Sequence, residues 1–236
     1  MKKKIIAFIP ARIDSKSIKK KNIKNFNGKP LIAWTIQQAL ASECERVIVS
    51  TDSLEIKEIA LQYGAEVPYL REKKLSSDDT AIEPVILDCL NYLKKNENIS
   101  PFAIALLMPT SPFRKVEDIN KAISIFNENN YSSVVSVSLA TANQNPYWML
   151  KETNGEVTLF TGESLSEIKA RRQELPDVYI RNDFIYLFRS KNLYVNKPGL
   201  YGDNVKLMKI DENRNDIDIN TERDWKIAEY IFKDEI

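Results

Sequence analysis

Ile5-Ile6-Ala7-Phe8-Ile9 is an unbroken apolar run near the start of the chain. It is too short for a helix and lacks the polar alternation of a strand with one wet face. It therefore predicts a strand buried on both sides, the kind found in parallel sheets covered by helices. Ala103-Ile104-Ala105-Leu106-Leu107-Met108 repeats the pattern and predicts a second central strand. Pro10 closes the first run because it cannot donate to a sheet ladder. Two such strands commit the chain to an α/β fold, with the strand ends as the place to look for a ligand.

Between and after these runs, strand and helix patterns alternate through the first 140 residues or so, as in a wound, mostly parallel sheet. Helices are expected from about Pro30, around Ile56 to Tyr63 with Gly64 as C-cap, around Val85 to Leu93, and around Ile119 to Phe126. Strands are expected at Val47–Ser50, near Val67–Leu70, and at Val134–Val137. The alternation breaks after Ser138. Residues 140–180 contain Asn-Pro-Tyr-Trp, Thr-Asn-Gly-Glu and a turn at Gly162, with short strand-like pieces at Trp148–Leu150 and Val157–Phe160. This predicts a small hairpin-rich subdomain, sized for a dimer contact or a lid, inserted into one domain spanning 1–236. The wound pattern resumes at Phe184–Phe188 and Val205–Ile210. A last helix begins at Thr221, with Asp224 three residues on as an approximate capping box.

Composition narrows the chemistry. The chain of 236 residues carries 34 Lys and Arg against 33 Asp and Glu, a net charge of +1. That balance argues against a dedicated nucleic-acid or membrane binder. There is no histidine, so His-based triads, His metal sites and imidazole acid–base catalysis are excluded. Carboxylate, lysine, arginine and metal chemistry remain. Cys44 and Cys89 fall in expected helices without metal-ligand spacing and are expected to be packing residues. No signal peptide or spanning apolar segment is visible, and the expected compartment is the cytoplasm.

Four segments carry polar chemistry. After Pro10 come Arg12, Lys16, Lys19, Lys20 and Lys21 against a single acid, Asp14. A basic loop leaving a buried parallel strand is suited to an anionic ligand, with a nucleotide polyphosphate the natural candidate; a solvated charge run is the plainer alternative. Leu107-Met108-Pro109-Thr110-Ser111-Pro112-Phe113-Arg114 leaves the other central strand on the same edge, although helix entry alone would also account for its hydroxyls. Arg171-Arg172-Gln173-Glu174-Leu175-Pro176, followed by Tyr179 and Asn182, puts two guanidiniums in the irregular subdomain. They could grip a sugar acid's carboxylate or hold a surface ion pair. Asp216, Asp218 and Asn220 alternate in an extended stretch and so project to one side, as oxygen ligands for Mg²⁺ would or as acids decorating a helix start.

Taken together these segments resemble the CMP-sialic acid synthetase family, the acylneuraminate cytidylyltransferases, over nearly the whole chain. Ile9-Pro10-Ala11-Arg12 with Ser15-Lys16 and Lys21-Asn22 resembles the family's nucleotide loop, and Asn27-Gly28-Lys29-Pro30-Leu31-Ile32 follows in place. Val49-Ser50-Thr51-Asp52, Arg71 and Asp79-Thr80 are similar to its nucleotide-side segments. Leu107 with Pro109-Thr110-Ser111-Pro112 is similar to its central-strand motif, Arg172-Gln173 with Leu175-Pro176 and Asn182 to its sugar-side motif, and Asp218-Ile219-Asn220-Thr221-Glu222 to its metal motif. The resemblance implies a Rossmann-like three-layer nucleotidyltransferase fold. It implies transfer of CMP from CTP to the anomeric hydroxyl of a 2-keto sugar acid, with release of pyrophosphate. It implies a homodimer in which the hairpin subdomain of one subunit helps close the other's site.

By the same resemblance Arg12, Lys21 and Asp218 are catalytic. Ala11, Arg12, Ser15, Lys16, Asn22, Arg71 and Thr80 bind the nucleotide. Met108, Thr110, Ser111, Arg172, Gln173 and Asn182 face the sugar, and Asp218 with Asn220 holds Mg²⁺. The chain departs from the family pattern at Ser17 and Asp183, where Gly is usual, at Met108, often Gln, and at Asn220, where a second carboxylate is usual. A same-fold enzyme acting on a phosphonate or another acidic sugar is an alternative, as is a degenerate nucleotide-binding dimer. The Gly-x-Gly-Thr-Arg loop of sugar-1-phosphate nucleotidyltransferases is missing from Pro10 to Asn22.

Overall fold

The computed structural model describes residues 4–233. The outermost three residues at each end of the expected 1–236 domain lie outside the described residues. The chain divides into two compact units: one of residues 1–136, 182–208 and 215–236, the other of residues 137–181 and 209–214. The second unit takes in Lys209–Arg214, which includes the last two residues of the expected wound stretch Val205–Ile210. Among the described residues no helix is long and apolar enough to cross a membrane.

The strands are β1 (Ile5–Pro10), the short pair β2 (Asn25–Phe26) and β3 (Lys29–Pro30), β4 (Arg46–Ser50), β5 (Ala103–Leu106), β6 (Ser133–Leu139), β7 (Leu150–Thr153), β8 (Glu156–Leu159), β9 (Tyr179–Arg189) and β10 (Val205–Lys209). The helices are α1 (Leu31–Leu40), α2 (Leu54–Gln62), α3 (Ile82–Tyr92), α4 (Val116–Glu128) and α5 (Glu222–Phe232). Six strands form the main sheet in the order β10-β6-β9-β5-β1-β4, and β7 and β8 form a separate hairpin. β1 pairs in parallel with β4 and with β5, so the C-terminal ends of all three open on one edge. Both fully apolar runs are central as expected, and Ile5 to Ile9 and Ala103 to Leu107 are buried throughout.

Three details differ from the sequence reading. β9 is antiparallel to β5, with Leu106 opposite Tyr186. Apolar runs report burial and are silent on direction, so periodicity could not have shown this. Val67–Leu70 is not a strand: Glu66 and Leu70 make isolated parallel bridges to Ile48 and Thr51. Pro68, which has no N–H, stands between the two bridges and prevents a continuous ladder. Cys44 lies beyond α1, where the Ser42 hydroxyl donates to the Ala39 carbonyl at 2.6 Å and ends the helix. Smaller shifts put Trp148 in a helical turn and end β5 at Leu106 rather than Met108.

What positions the site is the docking of α5. Phe26, at the β2–β3 turn, meets the Trp225 ring edge-on at 5.3 Å and lies 5.2 Å from Phe232. Trp34 and Phe113 close the cluster around Phe232 at 4.7 and 5.3 Å. Rings in these edge and tilted arrangements each add roughly 0.5–1.5 kcal/mol beyond area burial. The chain segment entering α5 is thereby brought to the ends of β1 and β5.

Candidate functional site

The loop after β1 is held by main-chain and carboxylate anchors. Ala11 N–H donates to the Ser50 carbonyl at 2.9 Å, and Ile13 N–H donates to Asp52 Oδ1 at 3.1 Å. Asn22, buried, returns an amide N–H to the Arg12 carbonyl at 3.0 Å and closes the loop on itself. These bonds leave the cationic side chains to be aimed by their surroundings. Arg12 pairs with Asp78, and Lys16 reaches the other oxygen of the same carboxylate at 3.0 Å. The two cations hold the Asp78 carboxyl below its ordinary range, Lys16 contributing most and Arg12 next. Ser15 sits half-buried in the same loop.

Arg71 joins this edge through its main chain, donating N–H to the Thr51 carbonyl at 2.8 Å. Its buried guanidinium gives Nε–H to Ser76 Oγ at 3.0 Å. Burial lowers the Arg71 pKa, and the nearby charge of Arg12 adds to the effect. Thr80 stays within its own turn, sharing a hydrogen bond with Ser77 at 2.6 Å. Asp78 was invisible in the sequence, where it is one acid among several in a surface turn.

Lys21 stands deeper. Its ammonium donates to the Ile219 carbonyl at 2.7 Å. Burial lowers its pKa, opposed by Asp218 and reinforced by Arg12. The residues before α5 are fastened to the loop after β5 by Ile219 N–H donating to the Thr110 carbonyl at 2.9 Å. Ser17 donates its hydroxyl to the Asn220 carbonyl. The basic loop, the Pro-Thr-Ser-Pro loop and the acidic segment therefore meet at one place.

Asp218 is only partly satisfied there. Its Oδ2 accepts from the Asn220 side-chain amide, while Oδ1 is buried and has no hydrogen-bond partner. Burial raises the Asp218 pKa and the charge of Asp183 adds to this, while Thr110, Asn220 and Lys21 oppose it. A buried oxygen without a partner costs on the order of 1–3 kcal/mol unless a proton or cation fills the place. The expectation that Asn220 offers an oxygen to a metal meets a different geometry: its amide nitrogen, not its oxygen, faces Asp218. Among the described residues no three acidic or Cys side chains converge as a ready-made metal cage.

The start of α5 carries a complete capping box. Thr221 Oγ1 accepts from Asp224 N–H at 3.2 Å, and Asp224 Oδ2 accepts from Thr221 N–H at 2.7 Å and Asn220 N–H at 3.1 Å. Asp218 lies outside it, so the cap does not use the Asp218 carboxylate. Thr221→Ala is expected to lower stability by about 1 kcal/mol, seen as an earlier urea midpoint with unchanged slope.

The Pro-Thr-Ser-Pro loop is held from behind by Arg114. This fully buried guanidinium donates to the Phe184 carbonyl at 2.7 Å, to Thr35 Oγ1 at 2.8 Å and to the Met108 carbonyl at 3.2 Å. Burial pushes its pKa down to about 9, with Asp118 and Asp183 opposing. Thr110 and Ser111 are buried, and Ser111 Oγ has no partner. Met108 is half-buried. Asn182 is buried at the start of β9, its Oδ1 accepting from Phe184 N–H at 3.4 Å. Arg172 and Gln173 belong to the second unit, where they line a cavity of about 430 Å³ with Ala142, Asn145, Leu175 and Pro176. Asn145 shapes that wall by donating its amide to the Pro176 carbonyl at 3.0 Å.

Comparison with known proteins bears on what such an edge does. The family model described as Cytidylyltransferase matches residues 6–203. The CMP-N,N'-diacetyllegionaminic acid synthase of Legionella pneumophila is 36% identical over 231 residues, covering 98% of this chain and 97% of that protein. The N-acylneuraminate cytidylyltransferase of Escherichia coli O18:K1:H7 is 34% identical over 230 residues, covering 97% of this chain and 52% of that protein. A solved CMP:2-keto-3-deoxy-manno-octonic acid synthetase complexed with CTP matches at a TM-score of 0.72 and 14% identity, covering 99% of this chain and 100% of that one, a likeness of fold.

Proposed function

Because the chain belongs to the cytidylyltransferase family, and within it to the CMP-sialic acid synthetases, we propose that it transfers CMP from CTP to the anomeric hydroxyl of a 2-keto nonulosonic acid and releases pyrophosphate. The observation that carries this reading is the gathering of Arg12, Lys16, Lys21 and Arg71 with Asp218 at the edge where β1 and β5 end. In the reaction the acceptor hydroxyl gives up its proton to a carboxylate or to solvent as its oxygen attacks the α-phosphorus, the bond to the β-phosphate oxygen breaks, and pyrophosphate leaves with that electron pair. Negative charge grows on the phosphate oxygens as this happens, and cations fixed in place before the reaction stabilise it most.

Arg12 and Lys16, which here share the Asp78 carboxylate, would meet the triphosphate, which offers them more charge than one carboxylate does. Ala11, Ser15, Asn22, Arg71 and Thr80 complete the nucleotide side. Lys21, held toward the α5 entry, would meet charge at the transferred phosphorus. Thr110, Ser111, Met108 and Asn182 would serve the acceptor's side. Arg172 and Gln173, which line the second unit's own cavity, would suit a carboxylate. Mg²⁺ fits Asp218, whose buried Oδ1 lacks a partner, and when bound it would neutralise triphosphate charge. We further propose a homodimer formed through the second unit, which exposes Leu150, Val157, Phe160, Leu165 and Ile168.

Calorimetry with Mg²⁺ present should rank CTP above ATP, GTP and UTP, and pyrophosphate should form only with keto-acid sugars. Equal affinity for a purine triphosphate would overturn the reading. Arg172→Lys is expected to raise the apparent KM for the sugar acid about tenfold or more, since lysine keeps the charge but loses the planar fork. CTP affinity should stay within about twofold, as expected of a substitution away from the nucleotide. A fall in CTP affinity with unchanged acceptor saturation would reverse the two substrate sides.

A further inference from the structure

The second acidic ligand of the proposed cation is to be sought among side chains that face Asp218. Asn220 presents its amide nitrogen to Asp218 Oδ2, which fixes that carboxylate and supplies no oxygen. Asp216 lies two residues upstream of Asp218 in sequence. Asp183 comes from another element altogether. β9 runs antiparallel to β5 with Leu106 opposite Tyr186, and beyond that pair the Arg114 guanidinium ties the Met108 and Phe184 carbonyls to one another. Asp183, next to Phe184, is thereby kept near the loop after β5. The Thr110 carbonyl in turn accepts from Ile219 N–H, which fixes Asp218 next to the same segment. Asp183 is also steadied from its own strand, where Tyr186 Oη donates to its Oδ1 at 2.7 Å, and that leaves the carboxylate a second oxygen.

We propose that Asp183 and Asp218 form the carboxylate pair that holds the divalent cation, with Asn220 as the hydrogen-bond donor that orients Asp218. The inference rests on the reading that Asp218 binds Mg²⁺. Two carboxylates with water and substrate phosphate oxygens make an ordinary oxygen-ligand set for that ion. Tyr186 then acts on the cation only through Asp183, as a positioning residue.

The test uses Mn²⁺ alone as probe, with bound metal read by electron paramagnetic resonance on the full-length protein. Asp183→Asn is expected to weaken Mn²⁺ binding by at least about 10–100-fold, the range for losing a group that only orients a metal's ligands. Tyr186→Phe should weaken it less, and adding Asn220→Asp to Asp183→Asn should restore part of the loss by supplying a carboxylate at the other position. Thermal melting of each variant checks that it is folded. If Asp218→Asn loses Mn²⁺ while Asp183→Asn stays within twofold of wild type, the cation reading stands and the assignment of Asp183 is overturned. If neither substitution changes Mn²⁺ binding, the cation is held elsewhere and both fall. Loss of turnover in Asp183→Asn with unchanged Mn²⁺ affinity would place Asp183 on the acceptor side and also overturn the assignment.

Discussion

Asp218→Asn is expected to lower turnover by at least about 10³-fold, and no Mg²⁺ concentration should rescue it. A bound cation contributes several kcal/mol of charge stabilisation to phosphoryl chemistry, and about 1.4 kcal/mol corresponds to each tenfold in rate. The substitution is nearly isosteric, so the main-chain bond from Ile219 to Thr110 and the capping box of Thr221 and Asp224 should survive it. It also relieves the cost of burying a carboxylate whose Oδ1 has no partner, so the variant should be at least as stable as wild type. A variant that is inactive yet melts no lower than wild type is hard to reconcile with a purely structural role. Steady-state rates across a Mg²⁺ titration, paired with melting curves, measure both. Appreciable activity at high Mg²⁺ would show that the segment before α5 is only a helix entry.

Lys21→Ala is expected to cut turnover by about 10²–10³, the usual consequence of removing one fixed electrostatic donor, with a much smaller rise in the apparent KM for CTP. The asymmetry follows from where the side chain is held. Arg12 and Lys16 share a carboxylate and Lys16 is exposed, whereas Lys21 is half-buried and directed to the Ile219 carbonyl. A cation already desolvated and fixed does not need to reorganise when charge develops beside it, so its contribution falls mainly on the transition state. Initial rates at varied CTP separate the two parameters. A change within about threefold would return Lys21 to the solvated face of the loop.

The sequence showed the architecture where burial dictates residue type, and the site where residue type dictates chemistry. Runs buried on both faces, such as Ile5–Ile9, have few interpretations, and the Thr221–Asp224 box is local enough to read from spacing. Direction and distant contacts were less legible. Nothing in Phe184–Phe188 distinguishes an antiparallel strand from a parallel one, because both bury the same side chains. Pro68 did hold a clue against the strand expected at Val67–Leu70, and the apolar neighbours outweighed it. Within the site, Asp78 was beyond the reach of spacing, since its partners Lys16 and Arg12 lie 62 or more residues away in the chain. Which end of the Asn220 amide faces Asp218 is a property of the packed structure alone.

The antiparallel placement of β9 against β5 has a consequence for the growing chain on the ribosome. The outer edge of β5 receives its native partner only when the strand ending at Arg189 has been made, at least 80 residues after β5 itself. At ordinary elongation rates that interval lasts roughly 4–16 s. Throughout it, a four-residue strand of Ala, Ile and Leu presents an unpaired apolar edge, the kind of template on which nascent chains associate wrongly. Closing the sheet across such a separation also carries the slow folding typical of non-local pairing. Yield during synthesis should therefore depend on how fast residues 107–189 are translated, more than on the stability of the finished sheet.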